Sequence, residues 1–424
     1  MSTQAELFSQ RLRAAWQRSD QILGLIPQHC YLNRPIGLRH PFLFYLGHLP
    51  AFAWNQVACS ALGLPHFSQL LDLLFERGID PEGEDGARAQ SIQQWPSLRE
   101  VLAYRDAVRT ALLPLIPQVL ERSHDALCEH GRVLNLVIEH ELMHQETLLY
   151  MLAECPPGII PHSPLYPLSK GGAGRAAEQV FIPAGEATIG ARFTEIPFGW
   201  DNEFEQTTVT VPSFLIDSLP VRNSDWLVFL TSQGHAEELF PNAWLRGPTG
   251  LQVKTVFGPV PFEHAEGWPV QVTGQQARVF CAAAGGQLPT EAELHRAAYG
   301  SPDNASRYFP WGSAAPAAEH GNFGFRQWSP APTGHSPAGA SAFGVEELVG
   351  NGWEWTCTPF APLPGFRAWA RSYPGYSQDF FDGAHDIVFG ASWATDEVLL
   401  RPSFRNWYRH SYPYPFSSFR VVRK

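Results

Sequence analysis

Two histidines four residues apart, His140 and His144, are the residues of this sequence best suited to metal chemistry. The surrounding run VLNLVIEHELMHQETLLYML (133–152) contains no Gly or Pro, and its apolar residues return at helical spacing, so it predicts a helix. Rings at this spacing on one helix face can bind a single ion. The HELMH run also satisfies the HExxH motif of zinc metalloproteases, in which Glu141 would be the general base. The pair alone is equally compatible with two histidines that bind no metal.

A metal site needs at least one further ligand, and the sequence offers candidates on both sides of the pair. Downstream, Glu154 and His162 lie in a connection rich in Pro and Gly. Upstream, His48 lies inside the apolar and aromatic run RHPFLFYLGHLPAFAWNQ, where a polar ring needs a partner because burying it unpaired is unfavourable. That partner could be a backbone group or a metal ion. His40, beside Pro41, is expected at a helix start.

The N-terminal part of the chain, residues 1–165, predicts a helical bundle that could position these histidines. A four-helix bundle builds metal sites from side chains on facing helices. His48 on one helix, with His140 and His144 on another, fits that arrangement. Apolar residues at helical spacing predict helices over residues 4–24, 41–62, 66–77, 96–123 and 130–154.

The sequence changes in character after a predicted linker, residues 166–178. Within 179–424, alternating runs such as QVFIPAGEATIG and TVTVPSFLI predict strands, and Gly, Pro and Trp are frequent. A helix is expected in TGQQARVFCAAAGG, from a Thr cap to a Gly stop. Thr290 is expected to cap another helix, with Glu293 completing a capping box. The predicted fold class is therefore α+β.

Composition argues against several functional classes. The net charge of −11, without a basic run, makes a nucleic-acid partner unexpected. The sequence has no stretch of about 18 apolar residues that would predict a membrane span, and its N-terminus lacks the apolar core of a signal peptide. The six cysteines form no CxxC motif, so neither a disulfide framework nor a thiolate zinc site is expected. These features predict a cytoplasmic protein with reduced thiols.

Several motifs together resemble a known family. The runs FYLGHLPAFAWNQ and EHELMHQETLLYML, followed by GNGWEWT, GASWAT and SFRNWY, are similar to those of the EgtB-like ergothioneine-type sulfoxide synthases, which are non-haem iron enzymes. The resemblance covers nearly the whole chain. It implies a DinB-like four-helix bundle followed by a domain similar to formylglycine-generating enzyme, a variant of the C-type lectin architecture. It also implies that His48, His140 and His144 bind iron(II), with dioxygen as co-substrate.

The resemblance implies a reaction as well. Members of the family use dioxygen to join a chalcogen donor to C2 of the imidazole ring of hercynine, a trimethylated histidine betaine. A tyrosine near the iron donates a proton, and Tyr373 or Tyr376, in RSYPGYSQDFF, best matches its position. Asn406 and Trp407 match positions that contact hercynine, whose quaternary ammonium suits an aromatic face. The bundle would thus supply the iron ligands, and the C-terminal domain would supply the substrate contacts.

The sequence departs from the mycobacterial-type members where they hold the donor. Tyr408 and Tyr412 replace an acid and an Arg that bind γ-glutamylcysteine, and Met143 replaces a Gln before the second helix histidine. Together with the run FERGIDP (75–81), the HELMHQETLLYML run resembles the selenoneine-synthase (SenA) and fungal ergothioneine-synthase branches. The SYPYPFSSF tail is aromatic and hydroxyl-rich, and is expected to form a surface that suits a sugar. The prediction therefore favours a selenoneine synthase with a selenosugar donor, and cysteine or γ-glutamylcysteine is the alternative donor.

Functions of other classes remain as alternatives. A zinc hydrolase would use the HExxH motif. A formylglycine-generating oxidase would need reactive cysteines late in the fold, but Cys281 and Cys357 are the last two and SFRNWYRH carries none, so that function is not expected. A non-catalytic binding module would leave the three histidines without a purpose. Iron, zinc or no bound metal would separate these alternatives.

Overall fold

The computed structural model describes residues 3–76, 95–248, 250–369 and 371–424. The chain divides into two compact units. The first consists of Met1–Pro161 and Ala370–Tyr373, and the second consists of His162–Trp369 and Pro374–Lys424.

The described part of the first unit is helical, as the sequence predicted. Pro114, which has no backbone N–H, lies in a short 3₁₀ turn, Leu113–Leu115, and the helix predicted over 96–123 is divided there. The end of the run FERGIDP, residues 77–81, lies outside the described residues. The helices are α1 (Thr3–Leu23), α2 (Phe42–Trp54), α3 (Gln69–Phe75), α4 (Leu98–Leu112), α5 (Ile116–Glu121) and α6 (Arg132–Ala153), and α2 continues into a π-helix, Asn55–Ala61.

Helix α2 is the most buried of the helices described in the first unit. All thirteen of its residues are buried, and it packs against α3, α4 and α6. Helix α1 instead buries one face, with residues such as Phe8, Leu12 and Trp16, and packs against α6. Because α2 and α6 are both largely buried, polar side chains on their facing surfaces are shielded from water.

The second unit combines sheets and helices, so the predicted α+β class is confirmed. The largest sheet among the described residues has four strands, in the order Asn406–Arg409, His385–Ala391, Gly352–Pro359 and Ser417–Ser418. The last two strands are parallel and the other pairs are antiparallel. The elements are β1 (Gln179–Ile182), β2 (Gly185–Ile189), β3 (Thr207–Val211), β4 (Phe214–Asp217), α7 (Asn223–Ser232), β5 (Trp244–Gly247), β6 (Gly250–Val253), β7 (Val260–Pro261), α8 (Phe262–Ala265), α9 (Gly274–Ala283), α10 (Glu291–Tyr299), β8 (Gly352–Pro359), β9 (His385–Ala391), β10 (Asn406–Arg409), β11 (Ser417–Ser418) and β12 (Val422–Arg423).

Local signals in the sequence explain several of these boundaries. Thr290 caps α10: its hydroxyl accepts from the Glu293 amide at 3.1 Å, and the Glu293 carboxylate accepts from the Thr290 amide at 2.8 Å, which confirms the capping box. Residues 166–178, expected to be a linker, belong to the second unit. The Ser169 amide there donates to the Ser329 hydroxyl at 2.8 Å. None of the described helices has both the length and the apolar character needed to cross a membrane.

Candidate metal centre

Three buried histidines from two helices converge in the first unit. His48 lies on α2, and His140 and His144 lie one turn apart on α6. One ligand nitrogen of each ring lies within 4.8 Å of the other two. The Nε2 atoms of His140 and His144 are 3.1 Å apart, so both point at the same small volume. No other group of three potential ligands occurs among the described residues, and the downstream candidates Glu154 and His162 are not part of this one.

A hydrogen bond on one side of the ring fixes the orientation of His48. Its Nδ1 atom lies 2.7 Å from the backbone carbonyl oxygen of Phe75. A carbonyl can only accept, so Nδ1 carries the hydrogen and Nε2 keeps its lone pair. That Nε2 atom is buried and has no hydrogen-bond partner among the described residues. An imidazole held through one nitrogen, with the lone pair of the other pointing inward, is the arrangement of a metal ligand.

Burial keeps all three rings neutral. It lowers the pKa of His48 to about 4, with His40 adding to the shift and the bond to Phe75 opposing it. Burial also lowers the pKa of His140 and of His144 well below the usual value, and the neighbouring histidines lower both further. Neutral imidazoles offer lone pairs, whereas protonated ones repel a cation. The donor set therefore fits a divalent first-row metal such as iron(II) or zinc(II).

The glutamate of the HExxH motif, Glu141, does not belong to the histidine group. The Glu141 carboxylate lies 3.7 Å from the Arg109 guanidinium on α4. Burial raises the pKa of Glu141, and the neighbouring Arg109 and a hydrogen bond with Ser19 oppose that effect. Since Glu141 is directed towards α4 and α1, the structure gives it no position as the base of a zinc hydrolase.

We predict that Gly47→Ala weakens metal binding, because it displaces Phe75, whose backbone carbonyl orients His48. A Cβ at Gly47 would lie 2.4 Å from the ring of Phe75, the residue whose carbonyl fixes His48. Such overpacking destabilises by about 1–3 kcal/mol, and displacement of Phe75 would release the His48 ring. Thermal unfolding and iron titration measure the two effects. The control is Gly37→Ala, where a Cβ meets nothing within 4 Å, and unchanged iron affinity in Gly47→Ala would contradict the prediction.

Aromatic rings enclose the histidine group, and one predicted catalytic tyrosine is among them. Phe52 stacks on His140 with ring centroids 3.5 Å apart and an interplanar angle of 11°. The Tyr373 ring lies 5.2 Å from that of Phe52 and 6.2 Å from that of His140. Tyr376 belongs to the second unit, where it stacks on Trp200 at 4.2 Å. The structure therefore separates two tyrosines that the sequence left as equal candidates.

The predicted hercynine-contacting residues lie on β10 of the second unit. The Asn406 side-chain oxygen accepts from the backbone amide of Trp407 at 2.9 Å. The Trp407 indole stacks on Phe360 at 4.1 Å and meets Tyr376 edge-on at 5.3 Å. Trp407 is thus part of an aromatic cluster that includes the second candidate tyrosine. With Phe380, 5.7 Å from Trp407, the cluster offers several ring faces.

The two tyrosines that replace the expected charged pair stack on each other. The rings of Tyr408 and Tyr412 are 6.1 Å apart and inclined by 14°. Across the strand pair from Tyr408 lies Asp386 on β9, whose carboxylate accepts from Arg278 at 2.7 Å. Met143, one residue before His144 of the histidine group, is half-buried on α6.

Both units match known protein families. Residues 11–148 match the DinB superfamily, and residues 167–424 match the sulfatase-modifying factor enzyme 1-like domain. A hercynine oxygenase of Mycobacterium tuberculosis is 35% identical over 85% of this chain and 89% of its own length. The chain belongs to the EgtB-like family. The predicted order of a DinB-like bundle and a formylglycine-generating-enzyme-like domain is thereby confirmed.

Relatives of the EgtB-like chain carry two kinds of name. A hercynine oxygenase of Mycolicibacterium smegmatis is 39% identical over 64% of this chain and 67% of its own length. The ergothioneine biosynthesis protein 1 of Neurospora crassa is 30% identical over 97% of this chain. The chain spans only 57% of the length of that fungal protein. These relatives are thus named for hercynine oxygenation and for ergothioneine biosynthesis.

The prediction that the SYPYPFSSF tail forms a surface suited to a sugar is wrong for most of the residues in this segment. Tyr412, Phe416, Ser417 and Ser418 are buried. Ser417 and Ser418 form β11, which pairs with β8 in the four-stranded sheet of the EgtB-like chain's second unit. Hydroxyl-rich residues that complete a buried sheet edge present no face to solvent. Any contact of this segment with a sugar is therefore restricted to its less buried positions.

Cysteine chemistry of the formylglycine-generating type finds no support in the second unit. Cys281 is fully buried, and burial raises its pKa to about 12. Burial also raises the pKa of Cys357. The thiolate is the reactive form, so neither thiol is activated in this EgtB-like chain.

Sequence reasoning missed two features of the metal centre. Phe52 follows His48 by four residues, so the sequence indicates that the two side chains share a helix face. The stacking of Phe52 on His140, which lies on another helix, has no signal in the sequence. The anchoring of Tyr373 to the helical unit involves Gln56, whose amide donates to the Ser372 carbonyl at 2.6 Å. No local pattern signals that contact, because its two residues are 316 positions apart.

Proposed function

We propose that this chain is an iron(II)- and dioxygen-dependent enzyme that joins a chalcogen donor to C2 of the hercynine imidazole. The observation that carries the proposal is the group of three buried, neutral histidines on α2 and α6. His48, His140 and His144 would hold the iron. Bound iron supplies the redox chemistry that an unactivated imidazole carbon requires. The hercynine oxygenases among the relatives support the choice of substrate.

Tyr373 is our proposed proton donor. Its ring packs against Phe52, which itself stacks on a proposed iron ligand. A hydroxyl placed beside the metal centre can deliver a proton to a substrate bound there without prior motion of the chain. Tyr376, packed between Trp200 and Trp407, would instead shape the aromatic cluster.

We predict that Tyr373→Phe lowers kcat by roughly 10²–10⁴-fold, the usual contribution of a positioned acid or base. The Phe ring keeps the contact with Phe52, so iron content should not change. Tyr376→Phe is the matched control and should alter kcat far less. Rates of hercynine consumption measure both variants, and a larger loss in Tyr376→Phe would reverse the assignment.

Hercynine binding is assigned to Asn406 and Trp407. The quaternary ammonium of hercynine is attracted to the face of an aromatic ring such as an indole. Trp407 lies in a cluster of aromatic rings that includes Phe360 and Phe380. Because the Asn406 oxygen already accepts from a backbone amide, its side-chain nitrogen is the group assigned to the substrate.

For the donor, we propose a selenosugar, which would make the enzyme a selenoneine synthase. Support comes from Tyr408 and Tyr412, which stand where related enzymes carry an acid and an Arg. A sugar chalcogenide has no charged head group for such a pair to hold. The half-buried Tyr408 offers a ring and a hydroxyl that suit the apolar face and hydroxyls of a sugar, and the buried Tyr412 stacks on the Tyr408 ring.

One observation favours a second donor, γ-glutamylcysteine or cysteine, and with it ordinary ergothioneine-type synthesis. Asp386 and Arg278 lie on the strand and helix beside Tyr408, and they form an ion pair with the Arg278 side chain 38% exposed. This pair could recognise a zwitterion from a different position than in the mycobacterial-type enzymes.

The experiment that tests the proposal combines metal analysis with a donor panel. Protein purified without oxygen is expected to contain about one iron per chain. Incubation with hercynine, oxygen and each donor, followed by mass spectrometry, identifies the bond formed. Zinc in place of iron with hydrolytic activity, or no product with any donor, would contradict the proposed function.

A further inference from the structure

A short segment from late in the chain belongs to the helical unit. Ala370–Tyr373 groups with Met1–Pro161 and separates from its own sequence neighbours. Three of its residues, 371–373, are described. The segment ends in Tyr373, whose ring lies beside Phe52 and His140.

An ion pair holds the start of this segment. The Arg371 guanidinium donates to both carboxylate oxygens of Asp125, at 3.0 and 2.9 Å. It also donates to the backbone carbonyl of Ser60 at 3.0 Å. Asp125 is itself fixed, because one of its oxygens accepts from the Leu127 amide at 2.9 Å. A two-pronged Arg–carboxylate pair of this kind sets direction as well as distance.

A buried amide holds the next residue. The Gln56 side chain donates to the Ser372 carbonyl at 2.6 Å. Gln56 and Ser60 both lie in the π-helix Asn55–Ala61, which continues the helix that carries His48. π-helical turns are rare and occur frequently at functional sites. The element that supplies a proposed metal ligand thus also supplies two contacts to the segment of Tyr373.

We propose that Arg371, Asp125 and Gln56 are positioning residues, whose hydrogen bonds hold segment 371–373 against the helices of the first unit and so keep Tyr373 beside the histidine group. We call the Arg371–Asp125 ion pair and the Gln56–Ser372 hydrogen bond the clasp. The inference rests on the proposed function for the meaning of Tyr373. It goes beyond that function in assigning Tyr373's placement to an ion pair whose members are 246 positions apart.

The clasp is expected to affect catalysis more than stability. The Arg371 side chain is 55% exposed, and exposed ion pairs contribute little to global stability. Only one residue, Ser372, however, separates Arg371 from Tyr373. Small displacements of a reacting group can reduce a rate about 10²-fold, so loss of the clasp should be visible in kcat.

The test uses Arg371→Met in the full-length, iron-loaded protein. We expect kcat to fall by about tenfold or more, with smaller changes in the KM for hercynine, and with unchanged iron content and thermal midpoint. The control is Arg367→Met, four residues earlier and also exposed. The reversed pair Arg371→Asp with Asp125→Arg should recover part of the rate. Wild-type kcat in Arg371→Met would overturn the proposal.

A double-mutant cycle identifies the route of the effect. If Arg371 acts through Tyr373, Arg371→Met should have no further effect on kcat in the Tyr373→Phe background. An equal loss in both backgrounds would show that Arg371 acts elsewhere and would overturn the proposal.

A readout without turnover keeps the clasp testable even if the proposed reaction is wrong. Because Ser372 is buried, we expect trypsin to cleave the Arg371–Ser372 bond when the segment opens, so Asp125→Ala should speed this cleavage severalfold. Mass spectrometry of the fragments locates the cut. Cleavage as slow as in the wild-type protein would overturn the clasp, whatever the substrate proves to be.

Discussion

Replacing His48 by Ala is expected to strip iron from the protein and abolish turnover. His48 is the only member of the ligand group on α2, and its Nε2 is oriented by the Phe75 carbonyl. Loss of an outer hydrogen-bond partner typically weakens a metal site about 10–100-fold, and loss of a ligand itself should exceed that. Iron per chain, measured after anaerobic purification, should fall well below a tenth of the wild-type value, as it should for His140→Ala and His144→Ala.

The matched control is His40→Ala. His40 is buried like His48 and precedes the same helix, with its ring 4.2 Å from that of Phe44, but it is not in the ligand group. It should keep its iron even if stability decreases. Circular dichroism checks that both variants fold. Full iron occupancy and activity in His48→Ala would refute the three-histidine site.

The convergence of the three histidines could largely be predicted from sequence because two of them obey a local rule. His140 and His144 are four residues apart in a run with helical periodicity, so their convergence follows from helix geometry. His48 could be selected because a histidine within a wholly apolar helix needs a partner. The sequence alone left a backbone partner and a metal as alternatives. In the structure the Nδ1 atom of His48 has a backbone partner, the Phe75 carbonyl, and its Nε2 atom faces the other two histidines.

What could not be predicted depends on contacts between distant parts of the chain. Tyr373 and Tyr376 are three residues apart in one loop, yet they belong to different units. No periodicity indicates where such a loop divides. The prediction for the SYPYPFSSF tail was wrong for a related reason. The pairing of β11 with β8 depends on residues such as Trp353, which are far away in sequence. The helices and strands, whose signals are local, were predicted more closely than either.

Donor choice is expected to show the second large effect, a kcat/KM at least about a hundredfold higher for a selenosugar, or its thiosugar analogue, than for γ-glutamylcysteine. A charge-assisted hydrogen bond contributes roughly 1.5–3 kcal/mol, and a peptide thiol would lose two of them where Tyr408 and Tyr412 replace an acid and an Arg. A hundredfold is about 2.7 kcal/mol, so even partial loss reaches that ratio. Hercynine is the co-substrate for each donor, so its own binding cancels in the comparison.

Two variants separate the contributions to this preference. Tyr408→Asp with Tyr412→Arg should shift preference towards γ-glutamylcysteine, because it restores both charges. The two changes belong together, since an Asp at 408 would lie across from Asp386, which Arg278 already neutralises in part. Arg278→Gln tests the other possibility: it should leave selenosugar use intact and should matter only if the ion pair with Asp386 holds a zwitterion. Equal or better use of γ-glutamylcysteine by the wild-type protein, lost in Arg278→Gln, would assign the enzyme to ergothioneine-type synthesis.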